Sequence, residues 1–344
     1  MTLPHENAAP RAATRTDVAK LAGVSAAVVS YVVNNGPRPV ATATRKRVEA
    51  AMEQLDYRPN ALARALKLRR AQAVGVVVPD VSNTFFGALA RELSNQAFET
   101  GFALLLGDAD NDIERERAQI ESLVSHQIDG LIITSLEPGS LVDARGTRTV
   151  FLGQRTRSGQ TSIVVDNEGG ARMAVQHLAK HGRRRIAHLG GLDGLPGAEE
   201  RARGWSAQCE ELGLDIDDEL LVRSEFSRAG GLEAGRTLLA GAPRPDAVFV
   251  ASDVQALGLL AAARERGIRV PEDLAVISFD GTDDAVFSDP PLTAVEQPIA
   301  ALAAAALDAV VGVQPVESSI VPVSLVIRSS CGCDQDQQMG ASRR

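Results

Sequence analysis

From Val74 onward the chain alternates short β-branched runs with helical runs, and this rhythm limits its possible folds more than any other feature. Strands are expected at 74–78, 102–106, 130–134, 149–152, 163–165, 185–189, 247–251 and 274–279. Helical stretches at 85–100, 113–126, 169–181 and 254–267 separate most of them. Repeated βα units of this length demand parallel strands covered by helices on both faces. The units are too many for one comfortable sheet, so two sheets divided near Val165 are the simpler reading.

The first 70 residues follow another pattern. They hold 12 Lys and Arg against 5 Asp and Glu, which leaves 24 basic and 39 acidic residues of the chain's 36 and 44 for the remainder. An acidic body with a small basic head suits a nucleic-acid reader attached to a regulatory body; a solvated charge imbalance would look the same. Thr16 is a candidate cap for a first helix and Ser25 for a second, and a third fits about 42–55. Pro59 then marks a break before a short fourth helix at 61–68. Within the first pair, small Ala19 permits close approach, Gly23 permits a turn with φ > 0, and Val29, Val32 and Val33 face back. That is the packing requirement of a helix-turn-helix, although an ordinary helical hairpin would share it. Ser25, Ala26, Ala27, Ser30 and Tyr31 are left to face outward.

Other signals point elsewhere and are weak. The glycines at 190, 191, 194 and 197 lack the G-x-G-x-x-G spacing, and Pro196 intrudes. His177 and His181 have helical metal-binding spacing, but no glutamate of the H-E-x-x-H kind follows His177 and no third ligand is evident in sequence. Cys331 and Cys333 lie near the polar end and Cys209 stands alone, which is neither a disulfide framework nor a zinc quartet. Free thiols in a reducing cytoplasm are expected. No convincing nucleophile–base constellation is present. The expectation is therefore no enzyme, no cofactor and no metal. The N-terminus lacks an apolar signal core, and no apolar run reaches the roughly 18 residues of a membrane span.

The stretches TRTDVAKLAGVSAAVVSYVVNN and TRKRVEAAMEQLDYRPNALARAL resemble the head of the lactose-repressor/galactose-repressor (LacI/GalR) family of bacterial transcription regulators. VGVVVPDVSNTFF, SIVVDNEGGARMAVQHL, RRRIAHLGG, FVASDVQALG, VPEDLAVISFDGTDD and PPLTAVEQP resemble that family's body, in order. The likeness covers about residues 14–330. It implies an α/β chain with an N-terminal helix-turn-helix head and a two-lobed, periplasmic-binding-protein-like body of parallel sheets flanked by helices. The implied division is a disordered tail at 1–13, the head at 14–58, and a hinge helix and linker at 59–71. The N-terminal lobe takes 72–165 with about 297–325, the C-terminal lobe 166–296 with about 326–331, and a second disordered tail 332–344. The resemblance also implies a homodimer on a pseudo-palindromic double-stranded DNA operator, a small effector resembling a sugar, and no membrane.

By the same resemblance, Ala26 and Ala27 enter the major groove with Tyr31 one turn on. Many relatives carry polar residues there. Alanine can touch a thymine methyl but cannot read guanine with a bidentate fork, so specificity must lean on shape and on the hinge. Thr14, Ser25, Ser30 and Asn34 would contact phosphates, which positions without specifying. In the hinge, Asn60 would cap the helix, Ala63 would let it lie close to the minor groove, and Arg64 and Lys67 would reach phosphate or groove. Leu66 would wedge a central base step. Ligands of open α/β sheets sit at the carboxyl ends of strands. There the resemblance places a cleft lined by Asp80, Asn83, Phe85, Phe86, Arg155, Arg201, Asp253, Asp280 and Gln297. Gln154, Gly281 and Ser252 depart from the residues common in relatives. The sequence thus reads as a repressor under metabolite control. The alternative is a cytoplasmic solute-binding sensor without specific DNA reading.

Replacing Leu66 with Ala is expected to weaken operator binding in a gel-shift titration while the body stays folded by circular dichroism. Unchanged affinity would remove the wedge.

Overall fold

The computed structural model describes residues 13–34, 36, 38–57, 71–135, 144–155, 160–314 and 316–333. The chain divides into two compact units, 1–71 and 72–344. The hinge residues Asn60, Ala63, Arg64, Leu66 and Lys67, and both expected tails up to residue 12 and from 334, lie outside the described residues.

The head holds α1 (Arg15–Ala22), α2 (Ala26–Asn34) and α3 (Thr42–Gln54). Helix α1 is capped by Thr14, not by Thr16, which falls in its first turn. Asp17 decides this. Its backbone N–H donates to the Thr14 hydroxyl at 3.3 Å, and its carboxylate accepts the Thr14 N–H at 2.8 Å, closing a capping box. Gly23, at φ +63°, turns the chain, and α1 and α2 meet at 105°. This is helix-turn-helix geometry. Ser25 caps α2, accepting from the Val28 N–H at 3.3 Å. Val18, Ala19, Ala22, Val29, Val32, Val48 and Ala51 form the core, with Val33 packed against it. Arg45 of α3 donates to the Val32 carbonyl at 3.3 Å, satisfying one of the acceptors left over at the end of α2.

The body begins with β1 (Ala73–Val78), α4 (Thr84–Glu99), β2 (Ala103–Asp108), α5 (Ile113–Ser125), β3 (Gly130–Ile133), β4 (Arg148–Leu152) and β5 (Thr161–Val165). It continues with α6 (Asn167–Lys180), β6 (Ile186–Gly190), α7 (Pro196–Glu211), β7 (Leu221–Arg223), α8 (Arg228–Leu238), β8 (Ala247–Val250) and α9 (Asp253–Glu265). The last elements are β9 (Ala275–Asp280), α10 (Asp283–Phe287), β10 (Thr293–Glu296), α11 (Ile299–Val311), β11 (Ser319–Val321) and β12 (Ser324–Val326). Two six-stranded sheets result, ordered β11-β5-β4-β3-β1-β2 and β12-β10-β9-β8-β6-β7. Pairing is parallel throughout except between β10 and β12. Every residue of β1, β3, β6, β8 and β9 is buried, as strands covered on both faces require.

The chain changes sheets three times: after β5, after β10, and between β11 and β12. Each of the eight strands expected from sequence overlaps an observed one. The short strands β7, β10, β11 and β12 were not foreseen. β7, β11 and β12 have three residues each, too few for a periodicity to declare itself.

Gly332 and Cys333, assigned by sequence to the tail, belong to the body. The Ser330 hydroxyl donates to the Val276 carbonyl at 2.6 Å and accepts the Thr293 N–H at 2.8 Å. This anchors the turn that follows, where Cys333 meets His181 at 3.0 Å. Among the described residues no single helix is long and apolar enough to cross a membrane.

Helices α8 and α9 touch backbone to backbone through Gly231 and Gly258. A Cβ on Gly258 would run into the Arg228 carbonyl and the Leu232 nitrogen. Gly258→Ala should therefore destabilise the body by about 1–3 kcal/mol despite alanine's better helix propensity. A urea melt of the full chain checks this; an unchanged or raised midpoint would show that the helices can separate freely.

Candidate functional site

Strands of both sheets end on one cavity of about 150 Å³, room for several water molecules. After β1 come Asp80, Asn83, Phe85 and Phe86; after β3, Thr134 and Ser135; after β4, Gly153 and Gln154. The second sheet supplies Ser252 after β8 and Asp280 at the end of β9, and Gln297 follows β10 on a crossing segment. Arg201 reaches in from the first half of α7, and Phe226 closes one wall.

The floor is a buried ion pair held in a network. Arg201 Nη1 lies 3.9 Å from Asp280 Oδ1, and its guanidinium lies 3.7 Å above the centre of the Phe279 ring. Its Nε donates to Asn167 Oδ1 at 2.9 Å, and its Nη1 also donates to the Ala251 carbonyl. Asp280 accepts from Gln297 Nε2 at 2.7 Å and from the Asp253 N–H at 3.4 Å. Burial pushes the Asp280 carboxyl up to about 7, with Arg201 opposing the rise and Asp253 adding to it. Burial also draws Arg201 down from its ordinary value. Asp280 sits at φ +115°, a strained conformation for a residue with a side chain. Gly281 follows at φ +76°, and a Cβ there would come within 2.8 Å of Glu296. A side chain at this position would thus force Glu296 to shift.

The walls are apolar and amide-rich. Phe85 and Phe86 stand edge to face, 5.3 Å apart. Asn83 spends its Oδ1 capping α4, accepting from the Phe85 N–H at 3.0 Å, so its amide nitrogen is the group left for a ligand. The Gln154 amide nitrogen is buried and has no hydrogen-bond partner among the described residues.

The structure gathers seven of the nine cleft residues expected from sequence: Asp80, Asn83, Phe85, Phe86, Arg201, Asp280 and Gln297. Two stand apart. Arg155 lies outside the cavity, largely exposed and paired with Glu200 at 3.2 Å. Asp253 is fully buried behind the cavity wall. Its Oδ1 accepts from Ser278 at 2.5 Å and its Oδ2 from the Thr282 N–H and hydroxyl at 2.6 and 2.8 Å, so it fastens the 280–282 turn. Sequence reasoning did not select Asn111, Ser135, Gln154 or Phe226 for the site. Loops after strands carry no periodicity, and only the fold brings them to one place.

In the head, Ser25, Ala26 and Ala27 are exposed at the start of α2, whereas Ser30 and Tyr31 are half-buried. The Tyr31 ring packs so closely on Gly36 that a Cβ there would lie 2.6 Å from Tyr31 Cδ1. The Thr14 and Ser25 hydroxyls already serve as helix caps. Asn34 closes α2.

Residues 14–60 match the family described as bacterial regulatory proteins, lacI family, and residues 175–331 match the periplasmic binding protein-like domain. The chain is 36% identical over 306 residues to the ribose operon repressor of Escherichia coli (strain K12), spanning 87% of this chain and 92% of that protein. Its fold matches the lac repressor dimer bound to operator and the anti-inducer ONPF with a TM-score of 0.82 and 28% identity, covering 93% of this chain and 99% of that one. It also matches the transcriptional regulator CelR–cellobiose complex with a TM-score of 0.67 and 31% identity, over 92% and 99% of the two chains.

The Asp280 carboxyl, at about 7 in the folded chain, stands well above the roughly 3.9 of an unfolded aspartate. Between those values the native state holds a proton that the unfolded state has released. The group's stabilising contribution is therefore complete near pH 4 and is lost as pH rises through 7. His188, lowered by burial to about 4, works in the opposite sense and is common to wild type and variant. The stability of wild type relative to Asp280→Asn should therefore fall between pH 5 and pH 8 in urea melts. A difference independent of pH would refute the buried-proton account.

Proposed function

The chain belongs to the lacI family of bacterial regulatory proteins, and we propose that it is a homodimeric cytoplasmic repressor whose cleft takes a neutral sugar of about monosaccharide size. As a member of that family it is a DNA-binding transcription regulator controlled by a small-molecule effector. The observation that carries the sugar reading is the buried Gln154 amide nitrogen without a partner, set among Phe85, Phe86 and the Arg201–Asp280 pair. A buried donor left unsatisfied costs about 1–3 kcal/mol, which a ligand oxygen would recover. Phenylalanine rings suit the C–H faces of a polyol. Asp280 can accept hydroxyls, while the Arg201 guanidinium is already engaged by Asn167, the Ala251 carbonyl and the Phe279 ring, which favours a neutral guest over an ion. The related ribose operon repressor and the cellobiose complex of CelR bear names in keeping with this class.

Binding without catalysis is the role this lining favours. Its charged groups are taken up in holding the floor: Arg201 pairs with Asp280, which Gln297 and the Asp253 backbone also bond. For the head, Ala26 and Ala27 are exposed and would meet the major groove, with Tyr31 contributing from a half-buried position and exposed Ser25 turned to a phosphate. Thymine methyls and DNA shape would then weigh more than bidentate hydrogen bonds. Thr14, Ser30 and Asn34 would position the head on phosphates, and the hinge residues Asn60, Ala63, Arg64, Leu66 and Lys67 would complete the contact in the minor groove. Control is a population shift: the effector prefers one arrangement of the lobes, the operator another, and each changes the other's affinity by the same factor.

Selection of bound sequences from random duplex DNA by the full-length chain, repeated with a panel of neutral sugars, tests the whole reading. An enriched palindrome whose recovery changes with one sugar supports it; folded protein that enriches nothing under any condition contradicts it. Arg201→Ala should lose at least tenfold of the sugar's effect on operator affinity while binding the operator itself as wild type does. A wild-type sugar response in that variant would remove Arg201 from the site.

A further inference from the structure

The two histidines and two cysteines that sequence treated separately converge at the far end of α6. His177 lies in the last turn of that helix and His181 caps it, so both rings share one face. The chain end brings Cys331 and Cys333 against them. Cys331 Sγ is 3.3 Å from His177 Nε2, and Cys333 Sγ is 3.5 Å from His177 Nε2 and 3.0 Å from His181 Nε2. All four donor atoms lie within 4.8 Å of one another. Gly332, at φ +94°, makes the sharp turn that lets both sulfurs of a Cys-Gly-Cys segment face the same two rings.

We propose that His177, His181, Cys331 and Cys333 form a structural Zn²⁺ site that fastens the C-terminal segment to helix α6.

Four features support it. A tetrahedral ion with bonds of about 2.0–2.1 Å to nitrogen and about 2.3 Å to sulfur sets N···S edges of about 3.5 Å, close to those observed. Two thiolates and two neutral imidazoles balance the charge of the ion. The last carbonyls of a helix also favour a cation at that end. Thr293 donates its hydroxyl to Cys331 Sγ at 3.1 Å, the kind of outer hydrogen bond that orients a thiolate ligand. Four protein ligands close the coordination sphere, so the site holds structure and leaves no position for substrate. Zinc binding displaces the two thiol protons to solvent, so affinity weakens as the solution becomes more acidic. Helix α6 has 14 residues, and its other end carries Asn167 of the Arg201 network, so roughly 20 Å separates the metal from the cleft.

The test uses the full-length chain, purified under reducing conditions and loaded with Zn²⁺ or Co²⁺. The site requires one ion per chain retained through gel filtration. With Co²⁺ it requires tetrahedral visible bands and a thiolate charge-transfer band. Cys333→Ser and His181→Asn, each checked for folding by circular dichroism, should both lose retention of the ion and with it the charge-transfer band. A chelator should lower the melting midpoint of the wild type and leave that of Cys333→Ser unmoved. Retention of zinc by both variants would overturn the proposal. So would a wild type that retains none, which would mean a hydrogen-bonded thiol–imidazole cluster or a cysteine pair open to oxidation. Preference for Cu⁺ over Zn²⁺ in competition would overturn the assignment of the ion.

Discussion

Parallel strands can be joined only by crossovers of a dozen or more residues, and the body of this protein follows from that constraint. Each crossover returns the chain to the same edge of its sheet, so the carboxyl ends of the strands gather on one side. There the loops need not pack and can carry polar groups. Because the chain passes between the two sheets three times, the strand ends of both face one cavity. Gln297 is the clearest case: it lies on a crossing segment, immediately after β10, and bonds the carboxylate at the end of β9.

The cavity floor shows how a buried charge is tolerated. Arg201 is satisfied by a carboxylate, an amide, a carbonyl and an aromatic face. Asp280 is held in turn by Gln297 and by the Asp253 backbone, in a strained conformation that Asp253 fastens through Thr282. Removing one partner of such a pair strands the other in low dielectric, whereas the intact pair is near electrostatic balance. A pair like this contributes little to stability and much to geometry, which suits a site that must distinguish one small molecule from another.

The head shows the same economy in another form. Its core is built of valine and alanine, and small side chains let three short helices approach closely. The residues exposed at the start of α2, Ser25, Ala26 and Ala27, are also small. Its packing is efficient and its outward chemistry sparse, and for that reason DNA shape and the hinge carry more weight in the proposed mode of reading.

The sequence by itself determined the α/β rhythm, the helix-turn-helix pattern and most of the cavity, because periodicity, turn glycines and strand-end positions are local properties. Asp80, Asn83, Phe85, Phe86 and Asp280, which the sequence singled out, line one cavity because each adjoins an element whose pattern is local; Arg201 and Gln297 line it too, although the elements beside them left no such pattern. Only the tertiary structure decided that Arg155 faces outward toward Glu200 and that Asp253 turns behind the wall, since a side chain's direction depends on neighbours distant in sequence. It alone decided that Gln154 and Phe226 belong with the site, and that the polar end of the chain returns to α6. His177 and Cys331 are separated by 154 positions, and a contact over that distance leaves no local trace. Local pattern fixes which elements form; long-range packing fixes which side chains meet.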